Sequence, residues 1–395
     1  MRRFGRMWAL LLCLALLAGC AAEEPLPPTA EPAAAEETAA TEATADPTPE
    51  PAPESAPQPE EQELVLWLAE DAPFYEELST LAGSFSVQRE DLAVRVVLFE
   101  KTGQMLESFP GEAPDLLFCS GRDAAALAEE GRLASLPLTD SALLPLFLDA
   151  PGFASGGYFP LGAELPVLAF RESESARLEG CRSLESLCAA AAAYARETDR
   201  AFFSADDFSR LFACALRQKG VPFRAEHARD VQSEGYCELY NLLAECAFDG
   251  GLAPMDQPVL TYVAEGELIA GLCSSRDLLL SGREGLAVLP APPLEGCEDC
   301  VDAEYWGLAA LTDNAAAAEW IASLYAGDLR AETVLAEGWL PAAEGDWGAG
   351  PGAASEGLQL ALRACRSFTP EPGSDYLLRG RSFEEEYRAA LALIS

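Results

Sequence analysis

Short apolar runs alternate with helical patterns along the first half of residues 64–395. Leu64–Leu68 (LVLWL), Leu92–Phe99 (LAVRVVLF) and Asp115–Cys119 (DLLFC) have the length and composition of buried strands. Helices are predicted after these strands, from Pro73 with a stripe through Phe85, around Gln104–Phe109, and over Ala124–Glu130. Strands that alternate with helices predict a parallel, doubly wound α/β sheet.

The second half of the chain has the same alternation but begins with an unusual segment. Gly156–Phe170 (GGYFPLGAELPVLAF) places two prolines and three glycines among apolar residues, which suits a segment that crosses between two lobes. Further helices are predicted over Ser183–Glu197, Phe208–Gln218, Tyr236–Ala247, Ala315–Ala326, Ser355–Ser367 and Ser382–Leu393. Further strands are predicted within Gly266–Ser275, Gly285–Pro293 and Tyr305–Thr312. The length also favours two lobes rather than one core.

The N-terminus has the pattern of a bacterial lipoprotein signal. Arg2, Arg3 and Arg6 precede an apolar run of 12 residues, Met7–Ala18, which is shorter than the ~20 residues that span a bilayer. The run ends in Leu17-Ala18-Gly19-Cys20, which resembles a lipobox in which Cys20 is lipidated. We therefore expect residues 1–20 to be a signal peptide and the mature chain to be held to a membrane by lipid, outside the cytoplasm.

Residues 21–63 form a separate compositional segment. They contain ten Pro and twelve Asp or Glu, and no Lys, Arg or aromatic residue. Such a segment cannot bury enough apolar surface to offset the entropy of ordering it, and its charges repel one another. This composition predicts a disordered tether that lifts the folded part away from the membrane.

The folded part is also acidic. Residues 64–395 carry 53 Asp or Glu against 23 Lys or Arg, and the whole chain has a formal net charge of −39. A field of this sign repels polyphosphates, so we expect no nucleic-acid partner. The sequence has no Gly-rich phosphate loop ending in Gly-Lys-Ser/Thr either, so an ATPase would have to be a separate chain.

Ten of the twelve cysteines fall in the folded part, where two interpretations remain open. In an oxidising compartment they can form up to five disulfides, whereas in a low-oxygen setting they would be small buried apolar residues. Cys297-Glu-Asp-Cys300 has redox or metal spacing, but its two acids should raise the pKa of the thiols. With His227 as the single histidine, we predict no metal site and no cofactor.

Seven segments in order resemble the family-one extracellular solute-binding proteins of ABC importers, the maltodextrin-binding type. They are LVLWL with its helix, GEAPDLLFCSGRDAAALAEEGRLASL, GYFPLGAELPVLAF, SLESLCAAAAAYA, VAEGELIAGLCSS, LAVLPAPP with YWGLAALTDNAAAAEWIASLYAG, and GWLPA at Gly338–Ala342. The resemblance implies a type II periplasmic-binding-protein-like α/β fold. In it, residues 64–162 and 303–327 would form lobe 1, and residues 163–302 and 328–395 would form lobe 2.

Two facing lobes of this kind imply a ligand cleft where the carboxyl ends of their strands meet. Glu70 and Asp71 follow the first strand, Arg122 and Asp123 follow the third, and Glu164 lies in the crossing. We expect these side chains to hydrogen-bond a sugar in the cleft. The alternative is that Arg122 and Asp123 are surface charges at a helix N-terminus.

Aromatic side chains are the other expected part of a sugar site. Trp67 lies in an apolar strand and is expected in the core, whereas Trp306 fits either role. Trp339 and Trp347 flank a Pro- and Gly-rich loop, where one of them is expected to form an exposed stacking platform. The candidates are Trp67, Tyr158, Tyr305, Trp306, Trp339 and Trp347.

The sequence departs from the family at two places where aromatic residues are usual. VLAFRES follows the crossing without a tyrosine, and GLCSSRD stands where a tryptophan is common, with Arg276 beside Asp277. These departures weaken the sugar assignment, because Arg122 or Arg276 would also suit an anionic or zwitterionic ligand.

The resemblance implies a monomeric, lipid-anchored binding protein that captures a small solute by hinge closure, performs no chemistry and delivers the solute to ABC permease subunits. Two alternatives remain open. One is a surface carbohydrate-processing enzyme that uses two carboxylates. The other is a sensor or adhesion lipoprotein that binds a ligand without transport.

Overall fold

A computed structural model shows the folded part as a mixed α/β protein with two main sheets. The structure describes residues 62–89, 91–108, 113–136, 156–219, 234–297, 300–301, 303–343 and 357–362, and five short pieces at 367–368, 377–378, 381–382, 388–389 and 391–393. The signal peptide with Cys20, nearly all of the tether, and Trp347 lie outside these ranges, so those predictions stay predictions.

The larger sheet has six strands in the order β11-β4-β10-β3-β1-β2. Its strands are β1 (Gln62–Ala69), β2 (Leu92–Phe99), β3 (Leu116–Ser120), β4 (Tyr158–Glu164), β10 (Glu304–Ala310) and β11 (Leu340–Pro341). β1 pairs in parallel with β2 and β3, whereas β10 runs antiparallel to both β3 and β4. The apolar runs form these strands because most of their side chains are buried, as in β3 and β4.

Helices accompany this sheet along the chain. They are α1 (Tyr75–Gln88), α2 (Thr102–Ser108), α3 (Gly121–Glu129), α10 (Ala315–Ser323) and α11 (Ala331–Ala336). Leu78 and Ala82 of α1 are buried, as the predicted stripe requires. A single π turn (Leu324–Asp328) extends α10, with Gly327 at a φ of 122°.

The smaller sheet has four strands in the order β6-β7-β5-β8. They are β5 (Pro166–Arg171), β6 (Phe203–Ala205), β7 (Ala270–Ser274) and β8 (Leu286–Pro290). β6 and β7 are parallel, but β5 is antiparallel to β7 and β8. Both sheets are therefore mixed rather than purely parallel.

The helices that follow β5 surround the smaller sheet. They are α4 (Ser175–Leu178), preceded by a 3₁₀ turn (Glu172–Glu174), α5 (Leu184–Thr198), α6 (Phe208–Gln218), α7 (Glu234–Phe248), α8 (Val259–Glu265) and α9 (Ser275–Ser281). Ser183 begins α5 with a capping box that it forms with Ser186. β6 was not predicted, because three residues give too short a pattern.

The chain passes directly from the larger sheet to the smaller one at Leu165, between β4 and β5. Ser275 forms two hydrogen bonds with the backbone of this residue. Its N–H donates to the Leu165 carbonyl at 2.7 Å, and its Oγ accepts the Leu165 N–H at 3.0 Å. Ser275 is fully buried, so these bonds satisfy backbone groups that water cannot reach. Gly156–Phe170 is thus the crossing that its composition predicted.

Two hydrophobic clusters fill the described part of the fold. The first includes Trp67 and the fully buried Trp320, and it continues past the crossing to Val167 on β5. The second packs helices α5, α6 and α7 on the smaller sheet, around Phe203 and Phe212. Because the first cluster spans both sheets, the lobes share packing at the crossing rather than having wholly separate cores.

The segment from α11 to β11 departs from the predicted lobe boundary. It was assigned to lobe 2 with residues 328–395, but Val334 of α11 packs against Gly162 of β4, and Leu340 and Pro341 pair with Ala163 and Gly162 in the larger sheet. That assignment is wrong for this segment, because a short helix and a two-residue edge strand leave too little periodicity to read. Two short strand pairs complete the described elements: β12 (Ser367–Phe368) with β9 (Cys300–Val301), and β13 (Leu377–Leu378) with β14 (Arg381–Ser382). Within the described residues, no helix is long and apolar enough to cross a membrane.

Candidate functional site

Arg122 and Asp123 lie in the first turn of α3, which begins at Gly121, three residues earlier than predicted. Ser120 is its N-cap, and its Oγ accepts the Asp123 N–H at 3.2 Å. The Ser120 hydroxyl in turn donates to Asp123 Oδ2 at 2.6 Å. The Asp123 carboxylate therefore has a structural partner already, and it holds the turn between β3 and α3.

Asp71 has a similar structural role at the end of the neighbouring strand. Its Oδ1 accepts the backbone N–H of Thr102 at 2.8 Å and the Thr102 hydroxyl at 2.7 Å. These bonds join the loop after β1 to the start of α2. Glu70 is exposed beside it, and its backbone N–H donates to Phe99. Both acids thus lie at the carboxyl edge of the larger sheet, as predicted from strand order.

Four aromatic side chains pack together at this edge of the larger sheet. Phe74 contacts Phe118 at 5.5 Å and Trp339 at 6.2 Å between ring centroids, and Phe118 contacts Trp306 at 5.5 Å. Trp306 is 9% exposed and its Nε1 donates to Glu304, whereas Trp339 is 2% exposed. The expectation that Trp339 is an exposed loop aromatic is wrong, because its ring is enclosed by Phe74 and Arg276.

At the corresponding edge of the smaller sheet, Ser274 caps α9. Its Oγ accepts the N–H groups of Arg276 and Asp277 at 2.9 and 3.3 Å. The Arg276 guanidinium lies over the Trp339 ring, with its Cζ 5.4 Å from the centroid. Arg276 is therefore joined to the aromatic cluster of the larger sheet.

A cavity of ≈ 280 Å³ opens beside Asp277 at the carboxyl ends of β6 and β7. Four of its lining residues are acidic and one is basic: Glu164, Asp206, Asp207, Asp277 and Arg210. Arg210 Nη1 donates to Glu164 Oε1 at 2.7 Å, and Nη2 donates to the Glu164 carbonyl at 3.2 Å. Apolar residues including Leu184, Leu211 and Leu272 complete the lining. Hydrogen-bonding groups on apolar walls suit a small polar solute.

Two of these carboxyl groups have raised pKa values. Burial is the main cause at Asp206, opposed by its hydrogen bond from the Val259 N–H, while the Asp277 charge raises its pKa further. At Asp277, burial and then the Glu164 charge raise the pKa, against the attraction of Arg276 and Arg210. Four carboxyl groups and one guanidinium group line the cavity, so acidic groups outnumber basic ones there.

Arg388, from the C-terminal part of the chain, braces the turn that carries Asp206. Its guanidinium donates to the carbonyl oxygens of Met255 at 3.1 Å, of Ala205 at 3.0 Å and of Asp206. It also lies over the Phe208 ring at 5.3 Å. Arg388, Asp206 and Asp277 line a second, more open cavity of ≈ 890 Å³. The turn between β6 and α6 therefore lines both cavities, through Asp206.

The predicted site residues therefore fall into two groups. Glu164 lines the smaller-sheet cavity and Arg276 lies on Trp339, whereas Glu70, Asp71, Arg122, Asp123 and Trp306 belong to the edge of the larger sheet. Four residues that line this cavity were not predicted from the sequence: Asp206, Asp207, Arg210 and Asp277. The adjacent acids of SADDFSR, directly after a short apolar run, were the available signal.

The described cysteines and acids form no metal centre. Cys119, Cys181, Cys188, Cys237, Cys246, Cys273 and Cys297 are free thiols. Among the residues that the structure covers, no three His, Cys, Asp or Glu side chains cluster so as to hold a metal ion. The side chain of Cys300 lies outside the described residues, and the interpretation of the CxxC pair stays a prediction.

Comparisons with known proteins show what this fold is similar to. No protein-family model matches the sequence, and no curated protein matches it either. Solved structures do match. An extracellular solute-binding protein of family 1 from Alicyclobacillus acidocaldarius superposes with a TM-score of 0.62 at 16% identity, over 84% of this chain and 92% of that one.

Two other structures give the same result. The sugar-binding protein MalE from Xanthomonas citri has a TM-score of 0.61 at 14% identity, over 84% of this chain and 96% of that one. An ABC transporter solute-binding protein from Thermotoga lettingae, bound to α-D-tagatose, has a TM-score of 0.53 at 14% identity, with 84% and 99% covered. At these identities the likeness shows the fold, the type II periplasmic-binding-protein-like fold, which confirms the expected architecture.

Proposed function

We propose that this chain is an extracytoplasmic binding protein that captures a small solute between two lobes. The observation that carries the proposal is the cavity at the carboxyl ends of β6 and β7, lined by Glu164 and Pro166 on either side of the Leu165 crossing. A solute bound there touches both the smaller sheet and the segment about which the lobes would move. Hinge closure would then enclose it.

The proposed ligand is a sugar or oligosaccharide. Similar structures include proteins described as sugar-binding or bound to tagatose. The carboxylates of Asp206, Asp207 and Asp277 can accept hydrogen bonds from hydroxyl groups, and Arg210 can donate to them. The excess of carboxylates favours a neutral or cationic solute over the anionic ligand considered for Arg122 and Arg276, because an anion would meet like charges.

Membrane attachment and delivery belong to the same proposal. The lipobox at Leu17–Cys20 would anchor the chain by lipid at Cys20, and residues 21–63 would give the folded part reach above the surface. Separate ABC permease subunits would receive the solute from a monomeric binding protein. Residues 328–395 other than the segment from α11 to β11 remain assigned to lobe 2 in this proposal.

Binding without chemistry is favoured over the enzymatic alternative. The Glu164 carboxylate is bound to Arg210 at 2.7 Å, so it is poorly placed to act as one of two free catalytic carboxyls. A sensor or adhesion role would use the same cavity, and it differs from import by the lack of a permease partner.

The direct test is thermal melting of residues 57–395, the compact unit of the chain, against a panel of ligands. The panel holds neutral oligosaccharides, amino sugars, polyamines, amino acids and sugar phosphates. A ligand that binds only the folded state adds ~2.7 kcal/mol of stability at one hundred times its dissociation constant. A rise in melting temperature with a sugar supports the proposal. No rise with any compound, or hydrolysis of a bound oligosaccharide, would overturn it.

Variants locate the site once a ligand is found. Asp277→Asn should weaken binding of that ligand by ~10-fold, because the carboxylate lines the cavity. Glu197→Gln, an exposed acid at the end of α5, is the matched control and should leave affinity unchanged. Arg122→Ala tests the larger-sheet edge in the same assay. Equal losses for Asp277→Asn and Glu197→Gln would show that only net charge matters.

A further inference from the structure

Two buried cysteines meet between helices α5 and α7. Cys188 lies in α5 and is 5% exposed, and Cys246 lies in α7 and is 3% exposed. The Cys246 thiol donates a hydrogen bond to the backbone carbonyl oxygen of Cys188, with 3.8 Å between Sγ and O, so the two cysteines are neighbours across the helix pair. Both side chains belong to the cluster that packs α5 and α7 on the smaller sheet. Neither lines the candidate ligand cavity.

We propose that Cys188 and Cys246 are a site of covalent modification, a disulfide that ties α5 to α7 when the chain folds in an oxidising medium. The pairing rests on the contact of Cys246 Sγ with the Cys188 carbonyl and on the burial of both side chains in one cluster, and it does not depend on the proposed ligand. The extracytoplasmic location proposed above is the kind of compartment in which such bonds persist.

The reaction balances with an external disulfide as the oxidant. One S–S bond forms between the two Sγ atoms as two S–H bonds break. The two electrons and the two protons pass to the disulfide of the oxidant, such as oxidised glutathione, which becomes two thiols. The exchange passes through a mixed disulfide, so a thiolate is needed at each step.

Folding is the stage at which this bond should form. In the folded protein, the hydrogen bond that the Cys188 thiol donates to Cys246, and then burial, raise the pKa of the Cys188 thiol, which makes its thiolate scarce at neutral pH. Before α5 and α7 have packed, both thiols are open to the oxidant. We therefore expect fast cross-linking during refolding and slow cross-linking of the folded, reduced protein.

The consequence is a closed loop from Cys188 to Cys246. It contains β6, α6 and residues 220–233. Closing this loop reduces the entropy of the unfolded chain, so the melting temperature of the oxidised protein should exceed that of the reduced protein by at least ~3 °C.

The experiment refolds residues 57–395 from denaturant in a mixture of reduced and oxidised glutathione, then digests the product without reduction. Cleavage after glutamate separates Cys188 (residues 186–197) from Cys246 (residues 246–265) and leaves Cys237 in residues 235–238. Mass spectrometry should detect the first two peptides joined, lighter than their sum by two hydrogens. Dithiothreitol should separate them and remove the gain in melting temperature.

Cys237→Ser is the matched control, because Cys237 lies on the same helix but is exposed. This variant should keep both the joined peptide and the stabilisation, whereas Cys188→Ser should lose both. The wild-type comparison of oxidised with reduced protein keeps the test valid even if Cys188→Ser fails to fold. Absence of the joined peptide after oxidative refolding, or a bond from Cys246 to Cys237 in its place, would overturn the proposal.

Discussion

The same five-residue pattern, Cys-Ser-x-Arg-Asp, ends a strand in each sheet. Cys119–Asp123 joins β3 to α3 in the larger sheet, and Cys273–Asp277 joins β7 to α9 in the smaller one. In both turns the cysteine is buried and the following serine caps the helix. Burial is the main reason why the pKa of each cysteine thiol is well above its usual value. The local sequence thus determines the local structure twice.

The third position shows how the two turns differ. A Cβ on Gly121 would lie 2.1 Å from the Tyr305 ring, so this turn packs directly against β10. Ser275 stands at the same position in the other turn, and its Oγ accepts the N–H of Leu165 in the crossing. One turn is therefore closed by packing, and the other is tied to the segment that joins the sheets.

The final aspartates differ as well. Asp123 accepts a hydrogen bond from Ser120 at 2.6 Å, whereas Asp277 lines the cavity that also contains Glu164. Burial and the Glu164 charge raise the pKa of Asp277. Identical residues thus stabilise a cap in one sheet and contribute charge to a candidate site in the other. The surroundings of each turn, rather than the shared Cys-Ser-x-Arg-Asp pattern, therefore determine the role of its aspartate.

The largest expected effect comes from giving the first turn the residue of the second. Gly121→Ser places a side chain where the Tyr305 ring lies, so the ring or the helix must move. We expect the free energy of unfolding to fall by ~3 kcal/mol, the upper part of the usual range for overpacking, measured by urea denaturation. Gly103→Ser is the matched control, because no atom lies within 4 Å of a Cβ there and Gly103 is also helical. Serine has a higher helix propensity than glycine, so Gly103→Ser should cause no loss, and equal losses in both variants would show that packing against Tyr305 is not the cause.

The sequence predicted the elements better than it predicted their uses. Apolar runs located β1, β2, β3, β7, β8 and β10, since each is long enough to bury several side chains. The hydrogen bonds of Asp71 could not be predicted, because its partner Thr102 lies at the start of α2, beyond the next strand. The acids of the cavity come from three separate places in the chain: the end of β4, the turn after β6 and the first turn of α9. Their proximity depends on the order of the strands in the sheets, which the sequence does not give. Trp339 was misjudged because its Pro- and Gly-rich context gave no sign of Phe74 and Arg276.

An intermediate effect is expected from the reverse exchange. Ser275→Gly removes the Oγ that accepts the Leu165 N–H and leaves that buried donor without its partner. We expect a loss of ~2 kcal/mol in the free energy of unfolding, within the usual cost of an unsatisfied buried group plus a helical glycine. Ser281→Gly, at the end of the same helix, is the control: it adds a glycine and removes a hydroxyl that donates to the Leu278 carbonyl and accepts the Arg283 N–H, so it measures these costs away from the crossing. If Ser275→Gly cost no more than this control, the serine would not be what holds the crossing.

The smallest expected effect separates the two aspartates by pH. Because the pKa of Asp277 is raised in the folded state, the folded protein binds its proton more tightly than the unfolded chain does. The stability penalty is therefore complete above the folded pKa and disappears as pH falls below the unfolded value of ~3.9. Asp277→Asn should raise the melting temperature at pH 7 by under ~2 °C, because the carboxyl group is only partly buried and the rest of the residue is open to solvent, and the gain should disappear as pH falls below ~4. Asp123→Asn should give no gain at pH 7, because its carboxylate accepts the Ser120 hydroxyl in the cap. The measurement is the melting temperature of the wild type and both variants across this pH range. If both variants change the melting temperature in the same way, the two aspartates have the same electrostatic role. If only Asp277→Asn gives a gain that depends on pH, the uncompensated charge lies in the cavity.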